Sequence, residues 1–190
     1  MTTKNKLTVF NQISMDGFFT DANNDMSWAH KDPDDSEWNE FVAGNAEGGS
    51  VLLFGRITYE MMAGFWPTPA AAQMNPVVAR NMNAMKKVVF SKTMKSASWN
   101  NTELINGHLE SEIQKLKKEA EGDITILGSG TIVSQLAAAG LIDEYSIVVN
   151  PLILGSGRTM FESVDNNIDL ELQSTRVFKN GSVFMSFLPA

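Results

Sequence analysis

The chain has 190 residues, 22 acidic and 15 basic, with a formal charge of -7 and no cysteine. That balance argues against broad contact with a nucleic-acid backbone, which needs a basic face. The missing cysteines rule out disulfides, thiolate metal sites, iron–sulfur clusters and a cysteine nucleophile.

With 43% apolar and 19% charged residues, the composition is that of an ordinary globular chain, and its length suits one domain. Met1 to Ser14 carries no sustained apolar run, so no secretory leader is expected. No stretch approaches the length of a membrane span. The expectation is a cytoplasmic protein without nucleic-acid or membrane partners.

Lys6 to Ile13 reads as a first strand, with Leu7, Val9 and Ile13 on one face. Asp16-Gly17 breaks it. Asp21 to Asp35 reads as a polar loop, and Asp35 or Ser36 caps a helix that runs to about Glu47 and stops at Gly48-Gly49. Trp38, Phe41 and Val42 share one side of that helix. Val51 to Phe54 is an apolar run between glycines, as in a strand covered on both faces.

Thr58 to Met62 suits a short helix, Phe65-Trp66-Pro67 begins a loop, and Pro76 to Met85 is helical in composition. Lys87 to Phe90 and Thr102 to Ile105 read as short strands. His108 to Glu121 repeats Leu109, Ile113, Leu116 and Ala120 at helical spacing and ends at Gly122. Asp123 to Leu127 is a strand, Gly128-Ser129-Gly130 a turn, Thr131 to Ala139 a helix and Tyr145 to Val149 a strand. Leu170 to Val177 and Ser182 to Leu188 flank Lys179-Asn180-Gly181, a hairpin signal. The order predicts an α/β fold in three layers: a mostly parallel sheet with an antiparallel hairpin at its end and helices on both faces.

Three strand ends carry glycine or hydroxyl residues: Gly55 with Arg56 and Thr58, Ser91 with Lys92, and Gly128 to Ile132. In an open α/β sheet, ligands sit outside the carboxyl ends of strands. Gly128 and Gly130 let backbone approach a pyrophosphate, and the helix behind them presents free N–H groups to it. Arg56 and Thr58 open another helix and suit a further phosphate, with Ser91 and Lys92 beside it. The third glycine of the Rossmann fingerprint is absent.

These segments also resemble a known family. Gly55-Arg56-Ile57-Thr58-Tyr59-Glu60 is similar to the G-R-x-T-[WY]-E segment of dihydrofolate reductases. Ser14-Met15-Asp16-Gly17 resembles the S-x-D-G of riboflavin-pathway pyrimidine reductases, the carboxy-terminal half of RibD. Residues Ile126 to Phe161 resemble that family's glycine turn, helix, strand and glycine loop. The resemblance implies a dihydrofolate-reductase-like fold, NADPH as hydride donor, a small-molecule substrate and a homodimer.

By position it gives Gly55, Arg56 and Thr58 to the adenosine-side phosphate, and Ser91 and Lys92 to the adenine end. Gly128, Ser129, Gly130, Thr131 and Ile132 go to the pyrophosphate. Ser14, Asp16 and Gly17 go to the nicotinamide and substrate, with Asp16 the favoured catalytic carboxylate. Glu37, or else Asp34 or Asp35, takes the place of a pterin-binding acid. Independently of the resemblance, Phe65-Trp66-Pro67 suits either a substrate wall, since aromatics stack on flat heterocycles, or ordinary packing, with Trp66 the wall residue in the first case.

No zinc-ligand spacing of a deaminase half is present, and His30 and His108 read as surface residues, so no metal is expected. Arg158 reads as a solvated loop residue. The leading expectation is a reductase of a small heterocyclic or carbonyl-type substrate, similar to 5-amino-6-(5-phosphoribosylamino)uracil reductase. The alternatives are a true dihydrofolate reductase, a non-catalytic nucleotide-binding module and an assembly protein on the same fold.

Overall fold

The computed structural model describes residues 5–46 and 51–190. The predicted helix end at Glu47 and the stop at Gly48-Gly49 lie outside the described residues. The chain begins with β1 (Leu7–Ser14) and a short β2 (Phe18–Thr20), then α1 (Ser36–Ala46), β3 (Val51–Gly55), α2 (Arg56–Phe65), α3 (Pro69–Met74) and α4 (Pro76–Ala84). It continues with β4 (Lys87–Phe90), β5 (Thr102–Ile105), α5 (Leu109–Glu119), β6 (Ile124–Leu127), α6 (Gly130–Ala138) and β7 (Glu144–Asn150). The last elements are β8 (Arg158–Thr159), β9 (Leu170–Val177) and β10 (Val183–Pro189).

Eight strands form one sheet in the order β5-β4-β3-β6-β1-β7-β10-β9. The first six are parallel, and β10 runs antiparallel to both β7 and β9. The chain winds outward from β1 to β5, returns to insert β6 beside β1, and then places β7 on the other side. The carboxyl ends of β3, β6 and β1 therefore meet where the winding reverses, which is where α/β sheets bind ligands.

Strand composition explains the layers. In β3, Val51 and Leu53 face the cluster under α5 and α6, which includes Ile113, Ile132, Val133 and Leu136. Leu52 and Phe54 face the opposite cluster with Tyr59, Val78, Met82 and Trp99. A third cluster joins Trp38 of α1 to Val148 and Phe178, with Phe10, Phe41 and Phe184 packed on it. The helices thus cover both faces, as the sequence predicts.

Three local predictions need correction. The segment after Trp66 is not a loop throughout: Thr68 accepts from Ala71 N and Pro69 opens α3, a proline placement that suits a first helical turn. α2 starts two residues earlier than expected, directly after Gly55. β2 pairs with β8 in a separate ribbon that periodicity does not announce. Asp35 is the residue that caps α1, its carboxylate accepting from Trp38 N at 3.0 Å. Among the described residues no helix is long and apolar enough to cross a membrane.

Lys87 is fully buried at the start of β4. Its ammonium donates to the carbonyls of Met82, Asn83 and Met85 at 2.7–3.2 Å and lies 4.5 Å from the Trp99 ring centroid. It closes the carboxyl end of α4, where a cation complements the dipole. Burial pushes its pKa from 10.5 down to about 8. The unfolded chain therefore holds this proton more tightly, and the group's contribution to stability grows between those two values as pH rises. Lys87→Met should flatten that dependence. In denaturant melts, wild type minus Lys87→Met should gain about 2 kcal/mol from pH 8 to pH 10.5, and parallel curves would refute the assignment.

Candidate functional site

The turn between β6 and α6 is fixed from two sides. Asn11, in the middle of β1 and almost fully buried, exchanges hydrogen bonds with Gly128: Gly128 N donates to Asn11 Oδ1 at 2.7 Å, and Asn11 Nδ2 donates to Gly128 O at 3.0 Å. From the other side, Ser129 N donates to Thr58 Oγ1 at 3.1 Å and Gly55 N donates to Ser129 Oγ at 2.7 Å. Gly128 and Ser129 both adopt left-handed backbone, with φ of 59° and 60°. A non-glycine at Gly128 would also put its Cβ 2.9 Å from the Thr58 side chain. At Gly130 the Cβ would strike the Phe19 ring at 2.5 Å.

The two glycines therefore serve close packing of Thr58 and Phe19 against the turn, as well as opening the helix. The amides of Ile132 and Val133 both return to Ser129 O. This corrects the expectation for Ile132, whose side chain is also in the core. The open donors of α6 are at Gly130 and Thr131, the first turn of the helix.

Beside this turn, Arg56 stands at the start of α2, exposed and paired with Glu60 at 2.9 Å. Such a pair is worth little in water and is readily exchanged. Thr58 is not a free phosphate ligand, because its hydroxyl oxygen already receives Ser129 N. Ser91 differs from expectation more strongly. It is buried, and its Oγ accepts from Thr93 N and Met94 N, so it shapes its own loop.

Lys92 does line a cleft of about 260 Å³, together with Phe90, His108, Leu109, Glu110 and Gln135. The cleft is smaller than the ~300–1,000 Å³ of a site that encloses a drug-sized ligand, so it suits one part of a dinucleotide. His108 thus belongs to its wall, and Gln135 is a wall residue with no sequence signal of its own.

At the carboxyl end of β1, Ser14, Asp16 and Gly17 come together. Ser14 Oγ donates to Asp16 Oδ1 at 2.6 Å, and Gly17, with φ of 88°, returns its N–H to Ser14 O. The Asp16 carboxylate also accepts from Leu154 N at 3.1 Å and Gly155 N at 2.7 Å. The Ser14 hydroxyl and these loop amides hold its pKa below the usual carboxylate value. An exposed carboxylate that stays ionised is a poor proton donor near neutral pH. The geometry gives Asp16 a different job from the expected one, which is to anchor the 151–155 loop beside the strand ends.

Two expected substrate residues point elsewhere. Glu37 Oε2 accepts from Lys179 N at 3.0 Å and Oε1 from Arg176 at 3.4 Å, so it ties α1 to the β9–β10 hairpin. Asp35 does the same through Asn180 at 2.8 Å. Trp66 packs in the α2–α4 cluster, with its indole N–H on Met62 Sδ. Arg158 pairs with Glu162 at 3.2 Å and reaches Thr131 Oγ1 at 3.5 Å, beside the start of α6.

Asn11 is the residue that sequence reasoning missed. The signal for it is the one polar break in the inward row Leu7, Val9, Asn11, Ile13.

A family model described as the RibD C-terminal domain matches residues 5–184. The chain belongs to this family. It is 28% identical over 171 residues to the uncharacterised protein YyaP of Bacillus subtilis, covering 90% of this chain and 88% of YyaP. A Shewanella sp. PV-4 protein provisionally named for riboflavin biosynthesis superposes with a TM-score of 0.76 at 20% identity, over 97% of this chain and 99% of that one. The dihydrofolate reductase of Enterococcus faecalis, in complex with NADP(H), gives 0.63 at 17% identity, over 97% and 96%. The fold of this RibD C-terminal domain protein is dihydrofolate-reductase-like.

The role of Asp16 can be checked without a substrate. Asp16→Ala should speed amide hydrogen exchange at Leu154 and Gly155 by about tenfold or more, each amide having lost a charge-assisted bond. Because its pKa is lowered, protection in wild type should persist above pH 3.8 and fade as pH falls below it. Unchanged exchange in the variant would contradict the anchoring role.

Proposed function

We propose that the protein is an NADPH-dependent reductase that passes a hydride to a small heterocyclic or carbonyl-type substrate, in the manner of the riboflavin-pathway pyrimidine reductases. The observation that carries this reading is the pinned turn Gly128 to Gly130. It holds the first turn of α6 open at the switch point of the sheet, with a second helix start at Arg56 next to it.

Two helix ends and a guanidinium make a donor set suited to phosphates. Gly130 and Thr131 would receive the pyrophosphate, Arg56 the extra phosphate, and the cleft lined by Lys92, His108 and Gln135 the base. Ser14 and the loop anchored by Asp16 would bound the hydride-transfer end. Bound there, the dinucleotide supplies the hydride, and the protein supplies position and electrostatics.

The acids of α1 argue against a dihydrofolate reductase. Asp35 and Glu37 are engaged by the hairpin, and neither is offered to a pterin. The homodimer expected from the family would use β9, an edge strand exposed along its whole length that bears Leu172 and Val177 at 55% and 69% exposure.

Two measurements follow. Titration followed by tryptophan fluorescence should show NADPH binding tighter than NADH in wild type. Arg56→Ala should remove about tenfold or more from NADPH affinity and leave NADH within about twofold; equal losses would refute the assignment of Arg56. Light scattering should report a dimer that Leu172→Asp converts to a monomer, and a wild-type monomer would end that proposal.

A further inference from the structure

The ionisable groups around the carboxyl ends of β1 and β7 are unequally matched. Three of the acids in this region are engaged by other groups. Asp16 holds the 151–155 loop, Asp35 caps α1 and receives Asn180, and Glu37 receives Arg176 and Lys179 N. Of the cations there, Arg176 pairs with Glu37 at 3.4 Å, and Lys179 acts with Lys31 on Asp35 at longer range. Lys31 makes no ion pair among the described residues. Asp35 attracts it at longer range, and burial pushes its pKa down.

Its position is set by a neutral network. Lys31 Nζ donates to Asn150 Oδ1, and Ser182 Oγ donates to the same oxygen at 3.2 Å. Asn150 Nδ2 donates to Ile13 O at 3.2 Å and to Gln12 Oε1 at 3.3 Å. The Ile13 carbonyl can only accept, so the amide of Asn150 must turn its oxygen toward Lys31. Asn150 is fully buried and sits opposite Ser14 in the β1–β7 register.

The amine is thus fixed beside the strand end that carries Ser14, with the Trp38 ring centroid 5.5 Å away. A half-buried ammonium bonded to an amide oxygen and set against an aromatic face, with its acid only at longer range, is undercompensated, and it keeps donors for another partner.

We propose that Lys31 is a specificity-determining residue that recognises an anionic group of the substrate, a carboxylate or a phosphate. The proposal rests on the reductase reading for its meaning in catalysis, but the binding event can be tested separately. Orotate and ribose 5-phosphate supply the two anions, and uracil and ribose are their neutral counterparts. Calorimetric titration of wild type should show at least one anion binding about tenfold or more tighter than its neutral counterpart, the worth of one charge-assisted hydrogen bond.

That preference should vanish in Lys31→Met and in Lys31→Gln and return in Lys31→Arg, while NADPH affinity stays the same in all variants that fold. No anion preference in wild type, or a preference that survives both Lys31→Met and Lys31→Gln, would overturn the proposal. Anion binding through Lys31 in a protein that fails to bind NADPH would support it while removing the reductase reading.

Discussion

The reciprocal pair of hydrogen bonds between Asn11 and Gly128 is the constraint on which the crevice depends. It joins the middle of β1 to the end of β6 and so decides where α6 begins. Thr58 grips the next residue, Ser129, and brings the start of α2 alongside. A turn with two successive left-handed residues is costly for Ser129, so it persists only because both sides hold it. The rigid turn fixes where the first donors of α6, the amides of Gly130 and Thr131, stand at the switch point of the sheet. Rigidity there matters because pre-aimed donors need no reordering when an anion arrives.

The charge pattern follows the same division. The chain is acidic overall, and three acids beside the strand ends hold the scaffold. Asp35 and Glu37 fasten α1 to the hairpin, and Asp16 fastens a loop. Arg56, Lys92 and Lys31 are distributed along the strand ends with weaker commitments.

Much of the fold was legible because its central strands are written plainly. Val51 to Phe54, Val88 to Phe90 and Ile124 to Leu127 are short, mostly apolar runs, as central parallel strands require. The hairpin was legible from Asn180-Gly181 between alternating segments. The β2–β8 ribbon was not, since three residues against two leave no periodicity to read. α3 was hidden by Trp66-Pro67, which reads as a breaker, although Thr68 and Pro69 restart a helix at once.

Of the candidate site, the glycine turn with the helix behind it was legible, whereas the start of α2 was placed two residues late. The side chains were less legible. Ser91 and Trp66 are engaged within their own loop and cluster, whereas hydrogen bonds to distant segments decide what Glu37 and Asp16 do. Those partners are 142 residues away in the chain for Glu37 and Lys179, and 139 for Asp16 and Gly155.

The central claim is that a dinucleotide lies across the carboxyl ends of β4, β3, β6 and β1. An amide nitrogen–proton correlation spectrum recorded with and without NADPH tests it most directly. The account predicts shifts concentrated at Gly55, Arg56, Gly130 and Thr131, with further changes at Lys92, His108 and the Gln135 side chain. A spectrum that NADPH leaves unchanged, or shifts confined to the β9–β10 hairpin, would contradict it.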